Sequence, residues 1–216
     1  EVARLAVEAG GVEALLTALK QRPNSEAVQS KASSALGGLV ASSAAFQTLV
    51  GQAGGIEAVI AAMRSHPNSE AVQEHAAEAL GHLIAHGHEN VVLARIAGGA
   101  AVAIIALELH AASAAVQAHA SSALGALVEG CRDEQLRVGG ARGMDAVVAA
   151  LREHPSSELV QEHAAEALGR LVAGCPENQR LAREAGAVAS VVAALNATGG
   201  AGPCRPRRSA RSGTSS

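Results

Sequence analysis

The chain has 216 residues, of which 51 are alanine, with no Trp, no Tyr and a single Phe. This excludes a single-strand nucleic-acid binder, which needs aromatic stacking platforms, and favours closely packed helices, because alanine has the best helix propensity whereas strands prefer β-branched and aromatic residues. The formal net charge is −3, and the four arginines of the tail from Gly199, unaccompanied by any acid, leave −7 on residues 1–198; such a body lacks the basic stripe that wrapping a phosphate backbone requires.

A register of 44 residues runs through the chain. Gln29 with Ala35-Leu36-Gly37 recurs as Gln73 with Ala79-Leu80-Gly81, as Gln117 with Ala123-Leu124-Gly125, and as Gln161 with Ala167-Leu168-Gly169. The loop ahead of them, Pro23-Asn24-Ser25-Glu26, returns as Pro67-Asn68-Ser69-Glu70, in degraded form as Ala111-Ala112-Ser113-Ala114, and as Pro155-Ser156-Ser157-Glu158. A fifth copy opens at Glu184-Ala185-Gly186-Ala187-Val188, the counterpart of Glu8-Ala9-Gly10-Gly11-Val12, and then breaks off.

The pattern predicts three helices per copy. The second helix, over Ile56–Met63 in the second copy, spaces its apolar residues for one buried face and stops before Pro67. The third starts with Asn68 or Ser69 as N-cap, carries Glu70 in the first turn where it suits the helix dipole, and presents Val72, Ala76, Ala79, Leu80 and Leu83 as one stripe. The short first helix of the next copy, Asn90–Ala97, ends at Gly98-Gly99, where glycine permits the left-handed backbone of a sharp turn. One such unit cannot cover its own apolar faces, so the copies must stack into an all-α solenoid with a continuous core. The expected divisions are about 1–44, 45–88, 89–132, 133–176 and a partial 177–198, followed by a disordered Gly/Ser/Pro/Arg tail over 199–216.

Several residues resemble the armadillo repeats: Glu89-Asn90 and Pro176-Glu177-Asn178 opening first helices, Ala53-Gly54-Gly55 and Ala97-Gly98-Gly99 between first and second, and Val72-Gln73 with Ala79-Leu80 and Leu83 in the third. The likeness covers residues 1–198, and the turn sequence is also similar to Ala-rich arrays of algal and protist proteins and to the armadillo region of leucine-rich-repeat kinases. It implies a right-handed superhelix whose third helices line a concave groove that binds peptides or proteins. Family members that grip a peptide backbone use a Trp and an Asn ladder there. In this chain Ser34, Glu78, Ser122 and Glu166 stand at the Trp site, and Gly38, His82, Ala126 and Arg170 at the Asn site, which argues against a nuclear import receptor.

Stepping by four down each third helix gives Ser30, Ser34, Gly38, then Glu74, Glu78, His82, then Ala118, Ser122, Ala126, then Glu162, Glu166, Arg170. Acidic and small rungs alternate. This is either an electronegative groove with room for bulky side chains of a basic partner or a solvated helix face. Glu74, Glu78, His82, Ser122, Glu162, Glu166 and Arg170 are the candidate partner-binding residues.

No metal site is expected. The histidine ladders His66, His110, His154 and His75, His119, His163 repeat at helix spacings of roughly 8–10 Å, too far to share an ion held at about 2 Å, and read as exposed positions copied by duplication. His86-Gly87-His88 is the one close pair. Cys131 and Cys175 are a repeat apart, beyond disulfide reach, so free thiols are expected. No phosphate-cradling loop, nucleophile elbow or paired-carboxylate cleft is present, so neither catalysis nor a cofactor is expected. No signal segment is evident and the apolar stretch Ala97–Leu107 is too short to span a bilayer. The expectation is therefore an intracellular monomer, cytoplasmic or nuclear, acting as an interaction scaffold. The alternative is the armadillo regulatory region of a larger kinase or GTPase.

Overall fold

The computed structural model describes residues 10–85, 87–140 and 142–198. Among these residues all regular structure is helical. First helices are α3 (Ala44–Gln52), α6 (His88–Ile96), α9 (Arg132–Gly140) and α12 (Pro176–Glu184). Second helices are α1 (Gly11–Gln21), α4 (Gly55–Ser65), α7 (Gly99–Leu109), α10 (Gly143–Glu153) and α13 (Ala187–Thr198). Third helices are α2 (Glu26–Ala41), α5 (Glu70–Ile84), α8 (Ala114–Val128) and α11 (Glu158–Val172). The predicted elements over 56–63 and 70 onward fall in α4 and α5, and the one over 90–97 corresponds to α6, which starts two residues earlier and ends one residue sooner. The tail expected to be disordered, and His86, lie outside the described residues.

Local chemistry explains why these boundaries recur. Each second helix starts from a residue in the left-handed region, Gly10, Gly54 and Gly98 at φ 74–83°, which turns the chain through 71° between α6 and α7. The counterpart before α10 is Arg142, the one described non-glycine residue with positive φ, at 69°. The second helices α1, α4, α7 and α10 each end on a buried glutamine. Gln73 Nε2 donates to the carbonyls of Met63 (2.8 Å) and His66 (2.9 Å), and Gln29, Gln117 and Gln161 repeat the pattern. The carbonyls of a helix's last turn have no partner within the helix, so this side chain closes α4 and lets a tight turn lead directly into α5. Ser69 is the N-cap of α5, its hydroxyl accepting from the Val72 amide at 3.3 Å.

The predicted stripe Val72, Ala76, Ala79, Leu80 and Leu83 is wholly buried. Alanine and glycine set the spacing. A Cβ added to Gly37 would meet Ala79 Cα at 3.4 Å, and one on Gly125 would meet Ala167 Cα at 3.1 Å, so α2 and α5, and α8 and α11, stack with almost nothing between their backbones. Gly81, between α5 and α8, faces open space. Third helices contact one another more extensively than second helices do, so the array bends toward them and they form its inner layer.

The first helices interlock by a second device. Asn90 is buried and its Nδ2 donates to the carbonyls of Gln47 (3.0 Å) and Leu83 (2.7 Å). Its carboxamide occupies the space a side chain at Gly51 would need, because a Cβ there would lie 2.8 Å from Asn90 Cγ. Asn178 and Gly139 form the same pair between α12 and α9.

Candidate functional site

The candidate residues occupy the inner surface formed by α2, α5, α8 and α11, and the structure divides them. Glu74, Glu78 and His82 are half-buried on α5, whereas Glu162 and Glu166 are exposed on α11. Ser30 and Ala118, read from sequence as groove positions, are instead buried, at 5% and 0% exposure. They face the neighbouring helix because small side chains fit a close helix-to-helix contact as well as they fit an open groove. The odd rungs are thus formed by Ser34 with Gly38 and by Ser122 with Ala126.

Between α5 and α8, where no Gly–Ala contact draws the helices together, a cleft of about 460 Å³ opens. Gly81, Ser122 and Ala126 give it a small-residue floor, while Arg95, Glu166 and Arg170 supply its charged walls. Arg170 Nη2 lies 2.8 Å from Glu166 and 3.6 Å from Glu129, so its charge is already shared by two carboxylates. Arg95 donates through Nε to the Leu127 carbonyl (2.6 Å) and through Nη2 to that of Glu129 (2.8 Å), closing the end of α8. Among the described residues no ion pair involves Glu74, Glu78 or Glu162. Three of the candidate residues, Ser122, Glu166 and Arg170, therefore share one cleft. Glu74 and Glu78 stand at the adjoining rung, and His82 is tied back through Nδ1 to the Gly37 carbonyl at 3.3 Å.

His119 links these rungs. Burial pushes its imidazole below the usual histidine range, Glu78 and Glu74 pull it up, and His163 and His82 push it down again, so it senses the Glu74–Glu78 rung together with a histidine on each neighbouring third helix. The other histidine ladder is not the set of exposed copies expected from sequence. His66, His110 and His154 are half-buried, and their Nε2 atoms donate to the carbonyls of Pro23 (2.7 Å), Pro67 (2.8 Å) and Ala111 (2.6 Å) in the preceding copy. A carbonyl can only accept, so the proton sits on Nε2. The 44-residue spacing was the available signal for this role, together with that of the capping glutamines, but spacing alone does not say what a repeated polar side chain touches.

Among the described residues no group of His, Cys, Asp and Glu could hold a metal ion, and Cys131 and Cys175 are free. No single described helix is long and apolar enough to cross a membrane.

Residues 5–191 match the family model described as the LRRK2 ARM repeat. No curated protein matches. Among solved structures, the chain is similar to an engineered protein at 26% identity and TM-score 0.74, over 87% of this chain and 73% of that one. It is similar in fold to a chain from work on a phosphorylation switch in the cadherin and β-catenin interaction, at 20% identity and TM-score 0.76 over 87% of this chain and 35% of that one. A designed armadillo repeat protein in complex with the peptide (KR)4 matches at 22% identity and TM-score 0.71, over 91% and 85% of the two chains. The 44-residue three-helix period, its glycine turns and a family match over most of its length together place this chain in the armadillo-repeat family of the LRRK2 type.

Proposed function

We propose that the chain is a non-catalytic interaction scaffold that holds an extended segment of a partner protein against α2, α5, α8 and α11. The observation that carries this reading is the arrangement of Glu74 and Glu78 on one side, and Glu162 and Glu166 on the other, of the small floor at Ser122 and Ala126. Carboxylates flanking a floor without bulk suit lysine or arginine side chains laid across it. The designed armadillo protein bound to (KR)4 supports this mode of binding on the same fold. The acidic rungs are two copies apart, roughly 20 Å at ordinary helix spacings. An extended segment of about six residues spans that distance. The preferred ligand therefore carries basic residues about six positions apart, and salt weakens its capture.

The match to the LRRK2 ARM repeat favours a second reading at the level of the whole protein, in which this groove is the interaction region of a larger multidomain kinase or GTPase. The free thiols of Cys131 and Cys175 fit a reducing compartment, the cytoplasm or nucleus. Peptide-array screening of the protein beside a variant with Glu74, Glu78, Glu162 and Glu166 all changed to Gln tests the groove. The variant is expected to lose the selection for paired basic residues and most of the salt dependence. Identical ligands with identical salt dependence would refute it.

A further inference from the structure

Two of the three junctions between successive third helices are closed by a glycine against an alanine, and the third is not. Gly37 lies against Ala79 and Gly125 against Ala167, whereas Gly81, at the same place in α5, has no atom within 4 Å of where a Cβ would stand. Ile84, Ala85, Val91 and Ala126 line the apolar part of the cleft of about 460 Å³ that opens at this junction. Its charges cancel, because the guanidiniums of Arg95 and Arg170 share it with the carboxylates of Glu129 and Glu166. Both guanidiniums are held, Arg95 by the carbonyls of Leu127 and Glu129 and Arg170 by the two carboxylates. Such contacts are made in the plane of the group, so its flat faces stay available for stacking. The chain has no Trp or Tyr to place there, and its single Phe, Phe46, is on α3 and does not line the cleft.

We infer that this cleft is a pocket for a tryptophan side chain of the bound segment. The inference rests on the groove reading above and adds a central anchor to it. Charge and shape select this occupant. A lysine or arginine would meet two guanidiniums inside the cleft, against carboxylates that those guanidiniums already occupy. A leucine would cover the apolar floor but leave the guanidinium faces unused. An indole does both, since its ring packs on Ala126 and Val91 while presenting the best π-face for a cation, and the Ser122 hydroxyl in the same cleft can accept its N–H. The aromatic wall that is missing from the third helices is thus supplied by the ligand. The cleft lies between the two acidic rungs, so in an extended segment with basic residues about six positions apart the tryptophan falls about three positions from each.

The probe is a peptide of about ten residues with two arginines about six positions apart and a tryptophan midway, titrated into the full chain beside peptides with alanine, leucine or arginine at the centre. Anisotropy of a terminal dye gives the affinities, and because the protein has no tryptophan, indole emission reports the ligand alone. A blue shift on binding is expected, with an affinity about tenfold or more above that of the alanine peptide and the leucine and arginine peptides in between or below. Gly81→Met and Ser122→Met each narrow the cleft from one wall and should bring the tryptophan peptide down to the alanine one; both positions are only half-buried, so an unchanged helical spectrum verifies the fold. A variant with Glu74, Glu78 and Glu162 changed to Gln, which spares Glu166 in the cleft, should weaken all four peptides and keep their ranking. Salt-dependent binding with equal affinity for the alanine and tryptophan peptides overturns the pocket and leaves the groove standing. A tryptophan preference in a glutamine variant that binds as tightly as the parent supports the pocket and refutes the groove. The pocket is also overturned by unshifted emission, by full affinity in both methionine variants, or by the absence of saturable binding.

Discussion

A Cβ at Gly51 tests how the first helices interlock. It would lie 2.8 Å from Asn90 Cγ, closer than real Cβ contacts come, and a tight 3.0 Å from Nδ2, so Asn90 must move. Moving it breaks the donations to the Gln47 and Leu83 carbonyls, both made within the buried junction of α3, α5 and α6. Leaving buried acceptors unpaired costs about 1–3 kcal/mol and overpacking about 1–3 kcal/mol. Alanine in a helix interior returns about 1 kcal/mol relative to glycine. Gly51→Ala should therefore destabilise the array by about 1–5 kcal/mol. Gly81 is the matched control, because it too lies within a helix but a Cβ there meets nothing within 4 Å. Gly81→Ala should stabilise by about 0.5–1 kcal/mol. Urea unfolding followed by circular dichroism gives the direction, and hydrogen exchange shows where protection is lost, since a solenoid need not unfold in one step. In an Asn90→Ala background Gly51→Ala should cost little more, the two positions being coupled. A Gly51→Ala protein as stable as the parent, or a Gly81→Ala protein equally damaged, would refute the reasoning.

Arg142 sits at φ 69° where Gly54 and Gly98 stand elsewhere, and its guanidinium reaches Glu108 at 3.2 Å across a largely exposed pair. The left-handed backbone costs a non-glycine residue about 1–2 kcal/mol and an exposed pair contributes about 0–1 kcal/mol, so Arg142→Gly should raise the unfolding midpoint; a lowered midpoint would mean that Glu108 offsets the strain. For His119, whose pKa burial holds below its unfolded value of 6.5, the unfolded state takes up the proton first. Its contribution is complete above about pH 6.5 and is lost as the pH falls from there toward the folded pKa. The urea midpoint of the parent should accordingly drop more between pH 7.5 and 5 than that of His119→Gln, and parallel profiles would contradict the burial of that ring beside Glu74 and Glu78.

The period, the helix types and the apolar stripe were all legible in the sequence, because each is a local property repeated at fixed spacing. Glycine before every second helix but α10, serine at the N-cap of α5 and Val72 through Leu83 at helical intervals leave one way to bury the stripe, which is to stack. The acidic rungs could be read as well, since Glu74, Glu78, Glu162 and Glu166 fall on one helix face whatever the neighbours do. Tertiary structure decided what each repeated polar or small residue touches. Ser30 and Ala118 turned inward while Ser122 and Ala126 stayed in the groove, a choice set by the rotation of one helix against the next, to which small side chains are indifferent. His66, His110 and His154 became donors to the preceding turn, Gln73 became a cap for α4, and Asn90 filled the space that Gly51 leaves empty. Those contacts join residues up to 43 positions apart, and only the stacked helices bring them within hydrogen-bond distance.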